Sequence, residues 1–235
     1  MASNEWESQA ENWLRWARTP GHDAYWYFRN GFFDHIVPPP GRATLELGCG
    51  EGRVARDLSA RGHHVVGLDR APTLLAAAKS ADPDGTYLVA EAAELPFPAR
   101  TFDVVVAYNS LMDIADMPGA VREVGRVLRP GGTFSVSVTH PVNDVGHFVD
   151  ASTFVIEDSY LEAHRFEGSF ERDGLTMTFF GWTHPLRDYA GALEGAGLHI
   201  TRLREPLPDG ADDSYGPWRR LPMFLQLRAV KPGID

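Results

Sequence analysis

The chain predicts an α/β fold, a mostly parallel sheet with helices on both faces. Three observations lead there. Between residues 43 and 139, short apolar runs alternate with helical patterns, the rhythm of strand–helix–strand units. The runs are continuous and rich in β-branched residues, as strands covered on both faces are. A ten-residue stretch, TLELGCGEGR at 44–53, joins the first strand to the first helix through three glycines at alternate positions.

The elements follow in order. Residues 43–47 read as a strand and 53–60 as a short helix with Val54, Ala55 and Leu58 on one side, stopped by Gly62. Residues 64–68 form the next strand, ending at Asp69, and Pro72 opens a helix over 73–79. Strands follow at 86–89 and 102–107 (FDVVVA). Pro118 opens a helix over 119–128, closed by RPGG, before a fifth strand at 133–139. The rhythm then changes. Residues 148–183 carry β-like pieces with a turn at Asp173-Gly174, the pattern of an inserted antiparallel cap. A helix at 185–196 stopped by Gly197, a strand at 198–204 and a last strand at 223–230 complete the chain. The first forty residues crowd Trp6, Trp13, Trp16, Tyr25, Trp26, Tyr27, Phe28, Phe32 and Phe33 ahead of PPPG. These divide the chain into a helical lid at 1–40, a core at 41–139, a cap at 140–184 and a closing part at 185–235.

Composition removes several functions. A formal net charge of −10, with Lys79 and Lys231 the only lysines and the arginines scattered, is wrong for a phosphate backbone, so nucleic acid is not the expected partner. No apolar run approaches the roughly 18 residues of a membrane span. Residues 1–11 are polar and acidic, unlike a secretory signal, and the single Cys49 suits a reducing cytoplasm. Oligomeric state has no signature here.

Ligands of parallel sheets bind outside the carboxyl ends of the strands, where strand order reverses. The glycine turn, Asp69, Glu91 and Tyr108 would gather there. The turn is spaced Glu46-x-Gly48-x-Gly50-x-Gly52, not the GxGxxG of a dinucleotide fingerprint. Its glutamate would repel a pyrophosphate but could balance the ammonium of an amino-acid tail.

LELGCGEGR, followed by VVGLD, AEAAELPFPARTFDVVVAYNSLMD and EVGRVLRPGG, resembles the ordered motifs of class I S-adenosylmethionine-dependent methyltransferases, in their small-molecule, type 11-like group. The resemblance covers about residues 43–139, and HPLRDYAGALEGAGLHITRLREP resembles the closing part of such chains. It implies a Rossmann-like seven-stranded sheet with an antiparallel last strand. It also implies S-adenosylmethionine as cofactor, S-adenosylhomocysteine as product, and a small-molecule acceptor, with a lean towards specialised metabolism. Carried over, the backbone at Gly48, Gly50 and Gly52 would wrap the methionine and ribose portions, with Glu46 near the amino group. Asp69 would accept from the ribose hydroxyls, with Arg70 beside it. Glu91, where the family usually has aspartate, and the amide of Ala92 would meet the adenine. Tyr108 and Asn109 would line the pocket beside the sulfonium.

Two other functional classes stay open. A nicotinamide-dependent oxidoreductase would use the same kind of turn, though none of the seven tyrosines has the YxxxK spacing of its commonest small form. A non-catalytic cofactor-binding protein is the other. For catalysis, His140 in SVTHP is the expected base, with backbone hydrogen bonding as its structural alternative. Trp16, Tyr25, Met112, Asp113, His147 and His184 are expected near the substrate. His140, His147 and His184 lack tight metal-ligand spacing, so no metal is expected. Asp116 reads as a solvated loop residue. Cys49 reads as a small residue fitted into the turn.

Overall fold

A computed structural model describes residues 5–210 and 215–233. Its strands are β1 (Thr44–Leu47), β2 (Val65–Asp69), β3 (Thr86–Val89), β4 (Phe102–Tyr108), β5 (Leu128–Thr139), β6 (Gly146–Phe148), β7 (Phe154–Ile156), β8 (His164–Arg172), β9 (Leu175–Thr183), β10 (His199–Arg204) and β11 (Phe224–Val230). Seven of them form one sheet in the order β10-β11-β5-β4-β1-β2-β3. All neighbours from β5 to β3 are parallel, and β11 runs antiparallel to both β5 and β10. The expected seven strands and antiparallel last strand are therefore present. The chain runs outward through β2 and β3, then crosses back to place β4 on the other side of β1. That crossing is the reversal of strand order, and it lies between the ends of β1 and β4.

Alternation along β4 separates two apolar layers. Val105 and Ala107 face a cluster with Leu45, Leu47, Phe134 and Val136, covered by α6 (Met117–Val127) and α7 (Leu186–Gly195). Val104, Val106 and Tyr108 face the other way, against α4 (Arg53–Ala60) and α3 (Tyr25–His35). Residues 5–40 thus do two jobs. Helix α3 is part of the core layer: Phe32 and Ile36 are fully buried, and Ser135 Oγ donates to the Ile36 carbonyl at 3.0 Å. Helices α1 (Glu5–Ser8) and α2 (Ala10–Arg18) lie instead across α5 (Pro72–Ala81), where Ala10 packs with Ala71 and Leu74. Glu7 of α1 accepts from the Thr73 amide at 3.2 Å and from its hydroxyl, capping the first turn of α5 from outside.

The cap is two hairpins, β6–β7 and β8–β9. Asp173 and Gly174 both have positive φ, 52° and 74°, as a two-residue hairpin turn requires. Two local readings change. RPGG begins β5 instead of only closing α6, with a register shift between Phe102 and Val104 absorbing it. Asp116 caps α6, its carboxylate accepting from Gly119 N at 2.8 Å.

Asp103 ties the entry of β1 to β4. Its Oδ2 accepts from the Arg42 and Ala43 amides at 2.8 and 3.1 Å and from Arg129 at 2.8 Å. Despite some burial, these donors hold its pKa below the ordinary value. A depressed folded-state pKa means stabilisation present above the unfolded value of about 3.9 and lost as pH falls through the folded one. Asp103→Asn should therefore cost about 1 kcal/mol at pH 7, and urea melts of the two proteins should converge below about pH 3.

Candidate cofactor and acceptor site

The turn after β1 is held by backbone geometry and one carboxylate. Gly48, Gly50 and Gly52 have φ of 66°, 52° and 81°, a region that side chains disfavour. At Gly48 a Cβ would also meet the Ser110 Cβ at 2.5 Å, so the loop after β4 presses directly on the turn. Asp69, at the end of β2, accepts from Gly50 N at 2.8 Å through Oδ2 and from Ala71 N at 2.9 Å through Oδ1. Each carboxylate oxygen keeps a further lone pair for a ligand hydroxyl. Burial raises the Asp69 pKa, and these amides and Arg70 oppose the shift.

Glu46 points to the α3–α4 side of the sheet and is 2% exposed. Its Oε2 has no hydrogen-bond partner among the described residues. Burial, then the charges of Asp69 and Glu51, push its pKa well above the usual carboxylate range. A buried carboxyl without a donor calls for a cation or a donor from a ligand. With the left-handed glycine backbone at Gly50, this fits the ammonium and backbone of an amino-acid cofactor tail.

The other expected cofactor residues are placed as follows. Glu91 is exposed at the end of β3, its Oε1 3.5 Å from Arg70 Nε, while Ala92 is buried. Asn109 adopts a φ of 50° directly after β4, a conformation asparagine tolerates. It is held by Asn109 N donating to Ser137 O and Ser137 Oγ donating to Asn109 Oδ1, both at 2.7 Å. Tyr108 is buried edge-on to Tyr25 and Phe32, its hydroxyl without a hydrogen-bond partner among the described residues. Burial likewise raises the Cys49 thiol well above its ordinary pKa, so it stays protonated and unreactive.

An aromatic roof covers the turn. Trp6, Trp13 and Trp16 converge on Phe179 of β9, with ring centroids 6.4, 6.2 and 5.8 Å away. The Trp13 Nε1 lies 3.4 Å from where a Cβ on Gly50 would sit. Arg53, opening α4, stacks on Trp13 and Tyr25 and pairs with Asp23 at 2.7 Å. Arg165 of β8 pairs with Glu5 of α1, a second tie between cap and lid. The tryptophans were visible in the sequence. Phe179, their meeting point, carried no signal beyond its place in an apolar strand.

The expected acceptor-side residues are not all brought together. Met112 and Asp113 form a short 3₁₀ turn after β4, beneath Gly181 of β9. Trp16 is in the roof, and Tyr25 is buried beneath it with its hydroxyl on Asp57. His184 is buried where β9 enters α7, its Nδ1 3.8 Å from Asp188. His147 lies on the exposed β6–β7 hairpin, bonded to Glu157 at 3.0 Å. His140 has both ring nitrogens engaged. Nδ1 accepts from Val142 N at 3.2 Å, so Nε2 carries the hydrogen and donates to Glu205 at 3.1 Å. Its burial lowers its pKa, partly offset by Glu205. No group of three or more metal-ligating side chains occurs among the described residues, and none of their helices is long and apolar enough to cross a membrane.

Residues 45–136 match the family described as Methyltransferase domain. An uncharacterized methyltransferase of Synechocystis sp. is 36% identical over 109 residues, 46% of this chain and 51% of its own. A demethylmenaquinone methyltransferase of Beutenbergia cavernae is 32% identical over 117 residues, 50% of this chain and 48% of its own. This chain thus spans about half the length of the curated relatives it matches. An S-adenosylmethionine-dependent methyltransferase of known structure from Mesorhizobium loti is 26% identical with a TM-score of 0.68, covering 88% of this chain and 98% of its own. Residues 45–136 are thus a class I, S-adenosylmethionine-dependent methyltransferase domain.

Gly48→Ala should be destabilising by about 1–2 kcal/mol from its φ alone, with the contact to Ser110 adding to that. Thermal melts of Gly48→Ala and of Gly48→Ala with Ser110→Gly should differ, the second recovering the steric part but not the backbone part.

Proposed function

We propose that the protein transfers a methyl group from S-adenosylmethionine to a small-molecule acceptor held between the ends of β1 and β4 and the β8–β9 hairpin. The observation that carries this reading is the roof: Trp6, Trp13 and Trp16 close on Phe179, and Trp13 reaches the glycine turn at Gly50. An enclosed, apolar-walled site suits a small acceptor and excludes the water that would compete with it. A relative named as a demethylmenaquinone methyltransferase is consistent with a non-macromolecular acceptor.

When bound, the cofactor supplies a methyl carbon already activated by positive sulfur. The protein's own residues then have to bind, orient and dry the site. In this reading Glu46 takes the amino group, and the backbone from Gly48 to Gly52 wraps the chain that follows. Asp69, fixed by two amides, accepts from the ribose hydroxyls. Arg70, Glu91 and Ala92 border the adenine, with Glu91 contributing from the rim. Asn109, locked against β5, sets the wall beside the reacting carbon with Tyr108 behind it. Holding acceptor and methyl carbon about 3 Å apart supplies most of the catalysis.

Calorimetric titration with S-adenosylhomocysteine, run beside NAD, tests the cofactor. Binding of the former and no response to the latter is expected, and the reverse would refute the reading. Asp69→Ala should weaken S-adenosylhomocysteine by about 1–3 kcal/mol, from unpaired hydroxyls and a loosened turn. Incubation with S-adenosylmethionine and a panel of phenols, amines and quinols should then yield a methylated product. If protein or RNA were modified in preference to every small molecule, the acceptor class would be wrong.

A further inference from the structure

A cavity of about 220 Å³ opens on the polar side of α4, opposite its buried Val54, Ala55 and Leu58. Its walls come from the end of α2, the first two turns of α3, the residue Glu51 of the glycine turn and the start of α4. Four guanidiniums line it, those of Arg18, Arg29, Arg53 and Arg56, against two carboxylates, Glu51 and Asp57. The fold thus gathers cations that are scattered along a chain of net charge −10. Aromatic rings complete the wall. Arg29 stacks on Trp26 and Tyr25, 4.9 and 5.4 Å from their ring centroids.

The carboxylates present do not use up the donors. Glu51, 2% exposed, serves two cations at once, Arg18 Nε at 3.2 Å and Arg56 Nη2 at 2.9 Å. Asp57 Oδ2 accepts from Arg29 Nη1 at 3.0 Å and also from the Tyr25 hydroxyl. Arg53 is held from outside the lining, by Asp23 at 2.7 Å. Each guanidinium carries five N–H donors. Even with the backbone carbonyls of Ala17, Glu51 and Ala77 counted, most of these N–H groups have no acceptor among the described residues. The indole Nε1 of Trp26 is also buried without a hydrogen-bond partner among them. Surplus cations, surplus donors and an unpartnered indole N–H call for an anion. The forks come from three helices, which suits a tetrahedral oxyanion with acceptors in several directions better than a planar carboxylate. The volume lies below the roughly 300 Å³ at which drug-sized pockets begin, and suits a group the size of phosphate.

We propose that this cavity binds phosphate, free or as the phosphoryl end of a small molecule, between α2, α3 and α4. The inference goes beyond the methyl-transfer reading and does not rest on it. The cavity is distinct from the candidate cofactor cradle, since none of Glu46, Gly48, Gly50 and Asp69 lines it. Its occupant still reaches the lid. Arg18 ends the helix that carries Trp13 and Trp16, and Arg53 stacks on Trp13. A bound oxyanion therefore links the roof-bearing helix to the helix that follows the glycine turn. Asp57 competes with the oxyanion for Arg29, so this carboxylate sets the affinity.

Calorimetric titration of the intact protein with inorganic phosphate, at pH 7 in low-salt HEPES, reads the site directly. Phosphate should bind, and more weakly as sodium chloride is added. Arg29→Gln should weaken it by about 10-fold, the loss of a charge-assisted hydrogen bond. Asp57→Asn should instead tighten it, because the competing carboxylate is gone while the Tyr25 hydroxyl keeps an acceptor. Loosening of α3 against α4 would weaken binding in both variants, so opposite directions separate recognition from a structural effect. Saturating S-adenosylhomocysteine should leave the phosphate affinity in place. Its displacement of phosphate would make the cavity part of the cofactor site and overturn the proposal. No binding at low salt, equal binding by Arg29→Gln, or weaker binding by Asp57→Asn would each overturn it too. Phenyl phosphate, run beside inorganic phosphate, identifies the source. Tighter binding supports the phosphoryl end of a larger apolar molecule seated on Tyr25 and Trp26, and equal binding supports the free ion.

Discussion

The carboxylate of Asp69 holds two backbone turns at once, and the site depends on it. One oxygen fixes the glycine turn after β1 through Gly50 N, and the other fixes the entry to α5 through Ala71 N. The turns belong to consecutive strand–helix units that are parallel neighbours, so the bond sets one relative to the other. Buried hydrogen bonds to an ionised group are among the stronger ones available to a protein. The desolvation that raises the Asp69 pKa is opposed by the same amides that it orders.

From this point the other contacts radiate. Gly48 lets the β4 loop close on the turn at Ser110, which donates to the Leu47 carbonyl at 2.6 Å. Asn109, in its left-handed conformation, then redirects the chain so that Met112 and Asp113 fall beneath the cap. On the other side, Arg53 begins α4 one residue after the last glycine and carries the turn's position outward to Trp13, Tyr25 and Asp23. Cation–π contacts of this kind are individually modest, but they connect a rigid element to a peripheral one.

The sheet was largely legible in the sequence because each of its strands carries a local signal. FDVVVA and VVGLD are apolar runs bounded by turn residues, and Asp173-Gly174 has the composition that a tight hairpin demands. The glycine turn and Asp69 were legible for the same reason: glycine spacing and an acid at a strand end are short-range facts. What escaped depends on contacts distant in sequence. Helix α3 packs as core because Ser135 and Arg228 reach its last carbonyls, which its aromatic composition alone does not reveal. His140 read as the expected base with backbone bonding as its alternative, and the contacts that engage both its nitrogens, Val142 N and Glu205, come from the turn after β5 and from far along the chain.

The roof joins the two remote stretches of the chain. Trp13 comes from the first eighteen residues and Phe179 from the second cap hairpin, with the whole parallel core between them in sequence. Contacts of such long separation are entropically expensive and close late. The glycine turn, made of neighbouring units, can therefore form while the chain is still open above it. The molecule consequently passes from a cradle accessible from above to a walled chamber within its own folding sequence. The same late-closing contacts are the ones that thermal fluctuation breaks first. Ligand exchange can thus borrow the last step of folding, run backwards, as its door.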